Sequence, residues 1–159
     1  MIKLKEINWD NFWSVIKITP QKSQTKHVQS ISTFLAQSYI NLKEGHLDTS
    51  KAIYIDDYLI GYTKIVYVPK NEKPYNININ AIMIDALIID KKYQGKGYGK
   101  QSLQVIIDDI KLELFNDVDS IILACYEDNH IAINLYKSLG FEYMQSYNTK
   151  KNMSLYIKK

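Results

Sequence analysis

Arginine is missing from this chain of 159 residues: all twenty basic side chains are lysine. Anion binding therefore has no planar bidentate fork to use and falls to backbone amides and lysine point charges. Cysteine occurs once, at Cys125, which excludes an internal disulfide and fits a reducing compartment. No apolar run approaches the roughly 20 residues of a membrane span, and no N-terminal segment carries a signal peptide's apolar core, so a soluble cytoplasmic protein is expected. The lysines are scattered and the net charge is only +3, so no basic block marks a nucleic-acid surface. His27, His46 and His130 stand far apart without ligand spacing, and no metal site is expected. No repeat, linker or low-complexity tract divides the chain, and residues 1–159 read as a single domain with a core of its own.

Glycine is scarce as well, and three of the six fall in Gln94-Gly95-Lys96-Gly97-Tyr98-Gly99. This stretch follows a β-prone run and opens a long helical pattern, the placement of a phosphate cradle. Backbone without Cβ can bend tightly around an anion, and the helix start behind it adds unpaired amides and the positive dipole end. Lys96 and Lys100 add mobile positive charge. The nucleotide P-loop pattern fails here, because Gly95 and Gly99 enclose three residues and Lys100 is followed by Gln101. The dinucleotide pattern is weak, since Gly97 and Gly99 are two apart. A loop that merely turns the chain is the remaining alternative.

The segment resembles the Gln/Arg-x-x-Gly-x-Gly/Ala acyl-CoA signature of the GNAT superfamily of N-acetyltransferases. A second block stands in the order that the family requires: Asn129-His130-Ile131-Ala132-Ile133-Asn134-Leu135-Tyr136-Lys137-Ser138-Leu139-Gly140-Phe141 is similar to its Asn-x-x-Ala-x-x-x-Tyr-x-x-x-Gly-Phe. The resemblance covers about residues 50 to 158 and is weakest in the N-terminal third. Among its members, the chain looks most like bacterial spermidine/spermine (diamine) N-acetyltransferases. It implies acetyl-CoA as the donor, a small-molecule amine as the acceptor, direct attack in a ternary complex, and a homodimer formed through the C-terminal strands.

Periodicity gives a compatible order of elements. Residues 1 to 7 alternate as a strand, and Asp10 or Asn11 is placed to cap a short helix through Phe12, Val15 and Ile16. Val28, Ile31, Phe34 or Leu35, Ser38 and Leu42 follow helical spacing toward Gly45. Lys51 to Ile55 and Leu59 to Val68 bracket Asp56-Asp57-Tyr58 as a hairpin. A loop over 69–76 leads to a strand from Asn78 to Ile89, then a helix from Gly97 to Phe115 with Leu103, Ile106, Ile107, Ile110 and Leu114 on one face. A strand ending at Tyr126, a helix ended by Gly140, and strands near 141–146 and 152–158 complete the chain. The expected fold is an α/β, GNAT-like mixed and largely antiparallel sheet of about seven strands with about four helices.

Acyl transfer to an alkylamine needs a proton acceptor, because the amine is an ammonium at neutral pH. Asp85 lies nine residues before Gln94. By alternation it shares a face with Met83, Leu87 and Ile89, where apolar surroundings would raise its pKa and improve it as a base. In the polyamine acetyltransferases that the chain resembles, an acid at this strand position is the base, directly or through water. The competing reading is a β-bulge that resets the alternation and turns Asp85 to solvent. The departing thiolate needs a proton donor, and Tyr136, seven residues after Asn129, matches the tyrosine with that role in the family. Alone, Tyr136 reads equally as a boundary residue of a helix. Asn129 reads as a helix N-cap that also meets the pantetheine arm.

The strand edge at Leu87, Ile88 and Ile89 would pair with pantetheine amides and polarise the thioester carbonyl, while residues 94 to 100 (Gln94, Gly95, Lys96, Gly97, Tyr98, Gly99 and Lys100) take the diphosphate. Cys125, inside an apolar run, reads as an inert packed thiol. Glu44 and Asp48 near the end of the second helix, with Asp56 and Asp57 in the hairpin turn, are placed to supply negative potential for a cationic substrate, but charges at turns and helix ends are usually solvated, and that is the reading expected for them. A polyamine is the expected acceptor; an amine antibiotic, a protein amine, or a sensor without turnover are the alternatives.

Overall fold

β-Branched and aromatic residues crowd residues 48–68 and 81–89, and there the chain runs extended. In this computed structural model, which describes residues 1–113, 118 and 120–159, the elements follow in order. They are β1 (Ile2–Glu6), α1 (Phe12–Val15), α2 (Ile31–Lys43), β2 (Asp48–Ile55), β3 (Tyr58–Val68), β4 (Ala81–Ile89), α3 (Tyr98–Glu113), β5 (Ile121–Tyr126), α4 (His130–Ser138), β6 (Glu142–Asn148) and β7 (Met153–Lys158). Short 3-10 turns occupy Lys22–His27 and Thr149–Lys151. The sheet order is β1-β2-β3-β4-β5-β7-β6, antiparallel at every pair except β4 with β5. The mixed, mainly antiparallel seven-stranded architecture expected from the sequence is the one observed.

Local differences have local causes. The helix read from Val28 begins at Ile31, because Ser30 accepts a hydrogen bond from Thr33 N at 3.2 Å and caps it. Asn11 stands at the N-terminus of α1 without capping it. Its carboxamide instead ties the preceding turn, accepting from Asn8 N and donating to Glu6 O, each at 3.0 Å. β2 starts at Asp48, earlier than read, and β4 starts at Ala81 rather than Asn78. Leu114 and Phe115, read as the end of α3, lie outside the described residues.

One sheet face is covered by α3 and α4, whose Leu103, Ile106, Ile107, Ile110 and Ile133 pack on Ile82, Ile84, Ile89 and Leu123. The opposite face carries Val15, Ile31 and Phe34 of α1 and α2 over Ala52, Tyr62, Ala86 and Ile88. Strand β4 contributes to both faces, and its alternation breaks in the middle. Lys64 pairs with Ala86, but the next residue, Ile65, pairs with Ile84, so Asp85 is an extra residue in the ladder. Thr63 Oγ1 donates to Ala86 O at 2.9 Å just beside the bulge.

Close approach of backbones fixes one glycine. A Cβ on Gly61 would sit 2.5 Å from Ile88 O of the neighbouring strand, and the backbone cannot yield as a side chain would. Gly61→Ala is expected to cost about 1–3 kcal/mol through overpacking. Gly99→Ala, in the first turn of α3 with its nearest contact at 3.8 Å, should be neutral or slightly stabilising. Urea unfolding of the two variants checks the contrast.

Candidate active site

Parallel pairing between β4 and β5 is confined to Ile82 with Ile121 and Met83 with Ile122. Beyond this point the bulge bends β4 and the strands part. The gap is a cleft of about 490 Å³ whose walls include residues 83–89 of β4 and 123–126 of β5. Leu87, Ile88, Ile89, Gln94, Gly95, Gly99, Asn129 and Tyr136 line the same space as Asp85. Lys96, Gly97, Tyr98 and Lys100 lie outside that lining, although they belong to the same turn. Lys96 Nζ instead stands 5.7 Å over the Tyr93 ring.

The turn between β4 and α3 is shaped by backbone conformation. Gly95 and Gly97 have φ of +76° and +80°, a region that L side chains rarely adopt, while an added Cβ would meet nothing closer than 3.8 Å. Gly99 is already helical and needs no such freedom. Gln94 closes the turn: its Nε2 donates to Ile89 O at 2.7 Å and to Gln24 Oε1 at 2.9 Å. The carboxamide thus ties the turn to the end of β4 and to the segment that follows α1.

Asp85 lies neither with Leu87 and Ile89 nor in open solvent. The bulge sends Leu87 and Ile89 to the α3 face, whereas the Asp85 carboxylate meets Lys64, whose Nζ lies 5.7 Å from the Phe34 ring on the α2 side. This corrects the shared face inferred from strict alternation. The apolar surrounding expected for Asp85 is replaced by an ammonium at 3.0 Å, on a side chain only 2% exposed. Asp48, read as a solvated turn charge, is fully buried and lies 3.4 Å from the same ammonium. Lys64 escaped the sequence reading, though a lysine inside the apolar run Ile60 to Val68 is itself a signal that a buried charge has a partner.

Tyr136 projects from α4 between Phe141 and Tyr156, with ring centroids 6.1 and 6.5 Å away. Burial pushes its phenol above the ordinary range, so at neutral pH the group is a proton donor. Asn129 caps α4 by accepting from Ala132 N at 3.2 Å. Two tyrosines not singled out in the sequence also reach the cleft. Tyr75, ahead of β4, and Tyr147, on β6, stack with centroids 5.2 Å apart, and burial raises both phenols. His27 is a third addition: its Nε2 lies 2.8 Å from Asp128 and its ring 5.3 Å from that of Tyr126.

The Acetyltransferase (GNAT) family model matches residues 12–141. A probable spermine N(1)-acetyltransferase of Bacillus subtilis subsp. natto (strain BEST195) is 29% identical over 142 residues, covering 89% of this chain and 88% of the relative. The spermine/spermidine N(1)-acetyltransferase of Bacillus subtilis (strain 168) is 28% identical over the same length and coverage. Among solved structures, the aminoglycoside acetyltransferase AAC(6')-Ib in complex with coenzyme A superposes with a TM-score of 0.77 at 15% identity, over 100% of this chain and 95% of that one. An Arabidopsis thaliana protein in complex with the bisubstrate analogue CoA-Ac-MVNAL gives 0.65 at 16% identity, over 99% and 98% of the two chains.

Cys125 lines the cleft but is chemically quiet. Burial first, and the Asp128 charge second, push its thiol up to about 12. At pH 8 only about one thiol in ten thousand is then the reactive thiolate. Iodoacetamide should leave Cys125 of the native protein unlabelled at that pH and modify it on unfolding. Rapid labelling of the native chain contradicts this.

Proposed function

Since the chain belongs to the acetyltransferase (GNAT) family and is an acetyl-CoA-dependent N-acetyltransferase, we propose that its acceptor is a polyamine such as spermidine or spermine. One observation carries this reading: a carboxylate, Asp85, stands at the bulge where β4 parts from β5, beside the Tyr75 and Tyr147 rings. A cationic amine meets there a negative charge and aromatic surface, both of which favour an ammonium. Similarity to the two Bacillus enzymes over most of the chain supports the same class.

The amides of the Gly95–Gly99 turn and the start of α3 are suited to the donor's diphosphate. On its β5 side, where no strand pairs with Leu87 to Ile89, β4 is suited to the pantetheine amides and to the thioester carbonyl. Asp85, directly or through water, takes one proton from the ammonium. The freed nitrogen attacks the thioester carbon, forming the C–N bond. The C–S bond then breaks, the thiolate takes a proton from Tyr136, and the new amide nitrogen sheds its second proton to restore the phenol. Asp85 returns its proton to solvent, so an ammonium and acetyl-CoA yield an amide, coenzyme A and one proton.

Thiol release from acetyl-CoA across spermidine, spermine, lysine-bearing peptides and aminoglycosides tests the acceptor. Turnover of spermidine or spermine is expected. Activity confined to peptides or aminoglycosides moves the assignment to those amines, and silence across the panel contradicts the polyamine reading. Tyr136→Phe is expected to lower kcat by about 100-fold, with coenzyme A affinity nearly unchanged. Because burial holds the Tyr136 phenol above its ordinary value of 10.0, loss of this proton does not depress kcat as pH rises from 8 to 10. An alkaline fall in that window that vanishes in Tyr136→Phe contradicts the assignment.

A further inference from the structure

Asp85 is one end of a buried chain of charges. Its Oδ2 lies 3.0 Å from Lys64 Nζ, and that ammonium is 3.4 Å from Asp48 Oδ2. The side chains of Lys64 and Asp48 are 2% and 0% exposed, so neither can exchange its partner for water. Asp48 is held in turn from α2, where Ser38 Oγ donates to Oδ1 and Asn41 Nδ2 to Oδ2, each at 2.7 Å. Two carboxylates therefore share one ammonium, and Asp85, 24% exposed, is the end that reaches the cleft.

With both acids ionised the cluster carries one net negative charge, and one ammonium arriving in the cleft brings the sum to zero. After that ammonium gives a proton to Asp85, the cluster consists of Asp48 carboxylate and Lys64 ammonium, and the sum is again zero. Had Lys64 no partner except Asp85, the same transfer would strand a buried cation, one of the costliest states in a protein interior. We propose that Asp48 and Lys64 are positioning residues for proton transfer: Asp48 is the second counter-charge that lets Asp85 take a proton from the acceptor amine.

The proposal rests on the reading of Asp85 as the proton acceptor. In the step, an N–H bond of the alkylammonium breaks and an O–H bond forms on Asp85. Lys64 shifts its pairing from Asp85 to Asp48, and no other reactant is needed. Lys26, His27 and Lys151 line the same cleft, and among the described residues four rings approach the cluster without adding charge. They are the Phe34 ring of α2, Tyr62 of β3, Tyr75 ahead of β4 and Tyr147 of β6, and burial holds all three phenols in the neutral form.

Asp48→Asn tests the idea with whichever alkylamine the enzyme turns over. At pH 7, kcat/KM should fall at least tenfold while coenzyme A affinity stays put. The deficit should shrink as pH rises toward the amine's own pKa, because the acceptor then arrives neutral. Adding Lys64→Met to Asp48→Asn should restore part of the activity at pH 7, since the stranded ammonium is gone. A loss that is equal at every pH, or one that Lys64→Met does not relieve, overturns the proposal. If Asp48→Asn alone does not fold, the Asp48→Asn/Lys64→Met chain replaces it: folding with turnover supports the proposal, and a folded but inactive or an unfolded protein overturns it.

Stability gives a reading that needs no substrate. In urea, Asp48→Asn and Asp85→Asn each leave Lys64 one partner, and the double variant leaves it none, so the double loss should exceed the sum of the single losses. Additive losses overturn the shared ammonium. Unchanged turnover in Asp85→Asn removes the base assignment and this proposal together. An inactive Asp85→Asn beside an Asp48→Asn that is fully active at pH 7 removes this proposal alone.

Discussion

One surplus residue in β4 sets the geometry of the site. Because Asp85 has no partner in the ladder with β3, the strand bends, and parallel pairing with β5 ends after Met83 and Ile122. Three consequences follow from the same bend. It opens the cleft between the strands, and it leaves Leu87 to Ile89 without a strand partner on the β5 side. It also moves Ala86 and Ile88 to the α2 face and Leu87 and Ile89 to the α3 face, so both halves of the core close around the opening. The Gly95 and Gly97 turn then lies directly past the end of β4, fastened there by Gln94.

Charge inside the sheet is the second constraint. A lysine and an aspartate with side chains 2% and 0% exposed are tolerable only because each is paired and hydrogen-bonded. The polar chain runs from Ser38 and Asn41 through Asp48 and Lys64, crossing α2, β2 and β3, and surfaces at the bulge. Such a chain ties the Asp85 side of the cleft to the helix packed behind it. The turn between β4 and α3 carries Lys96 and Lys100 but no arginine, so an anion there would meet backbone amides and lysine point charges.

Much of the fold was legible in the sequence, for physical reasons. Alternating and 3.6-residue patterns are local, so β3, β5 and α4 emerge with small errors at their ends and α3 within one residue at its start. The glycine turn and the Asn129 to Phe141 block are contiguous, so their residues could be named outright. Asp85 was legible as an acid within β4, but its direction was not. A bulge depends on the register with β3, which no local pattern records. Lys64 and Asp48 failed for a similar reason, since a buried ion pair joins residues 16 apart in sequence on neighbouring strands. Tyr75 and Tyr147 come together from opposite halves of the chain, and only tertiary packing makes them neighbours.

The central claim is that the acyl donor occupies the gap opened by the bulge, with its diphosphate on the turn at Gly95 to Gly99 and its sulfur beside Asp85 and Tyr136. A crystal structure of the protein with coenzyme A tests it most directly. The account predicts diphosphate oxygens within hydrogen-bond distance of the amides of that turn and the sulfur between β4 and β5. Coenzyme A bound elsewhere, or a cleft closed by protein with the turn making no phosphate contact, would contradict it.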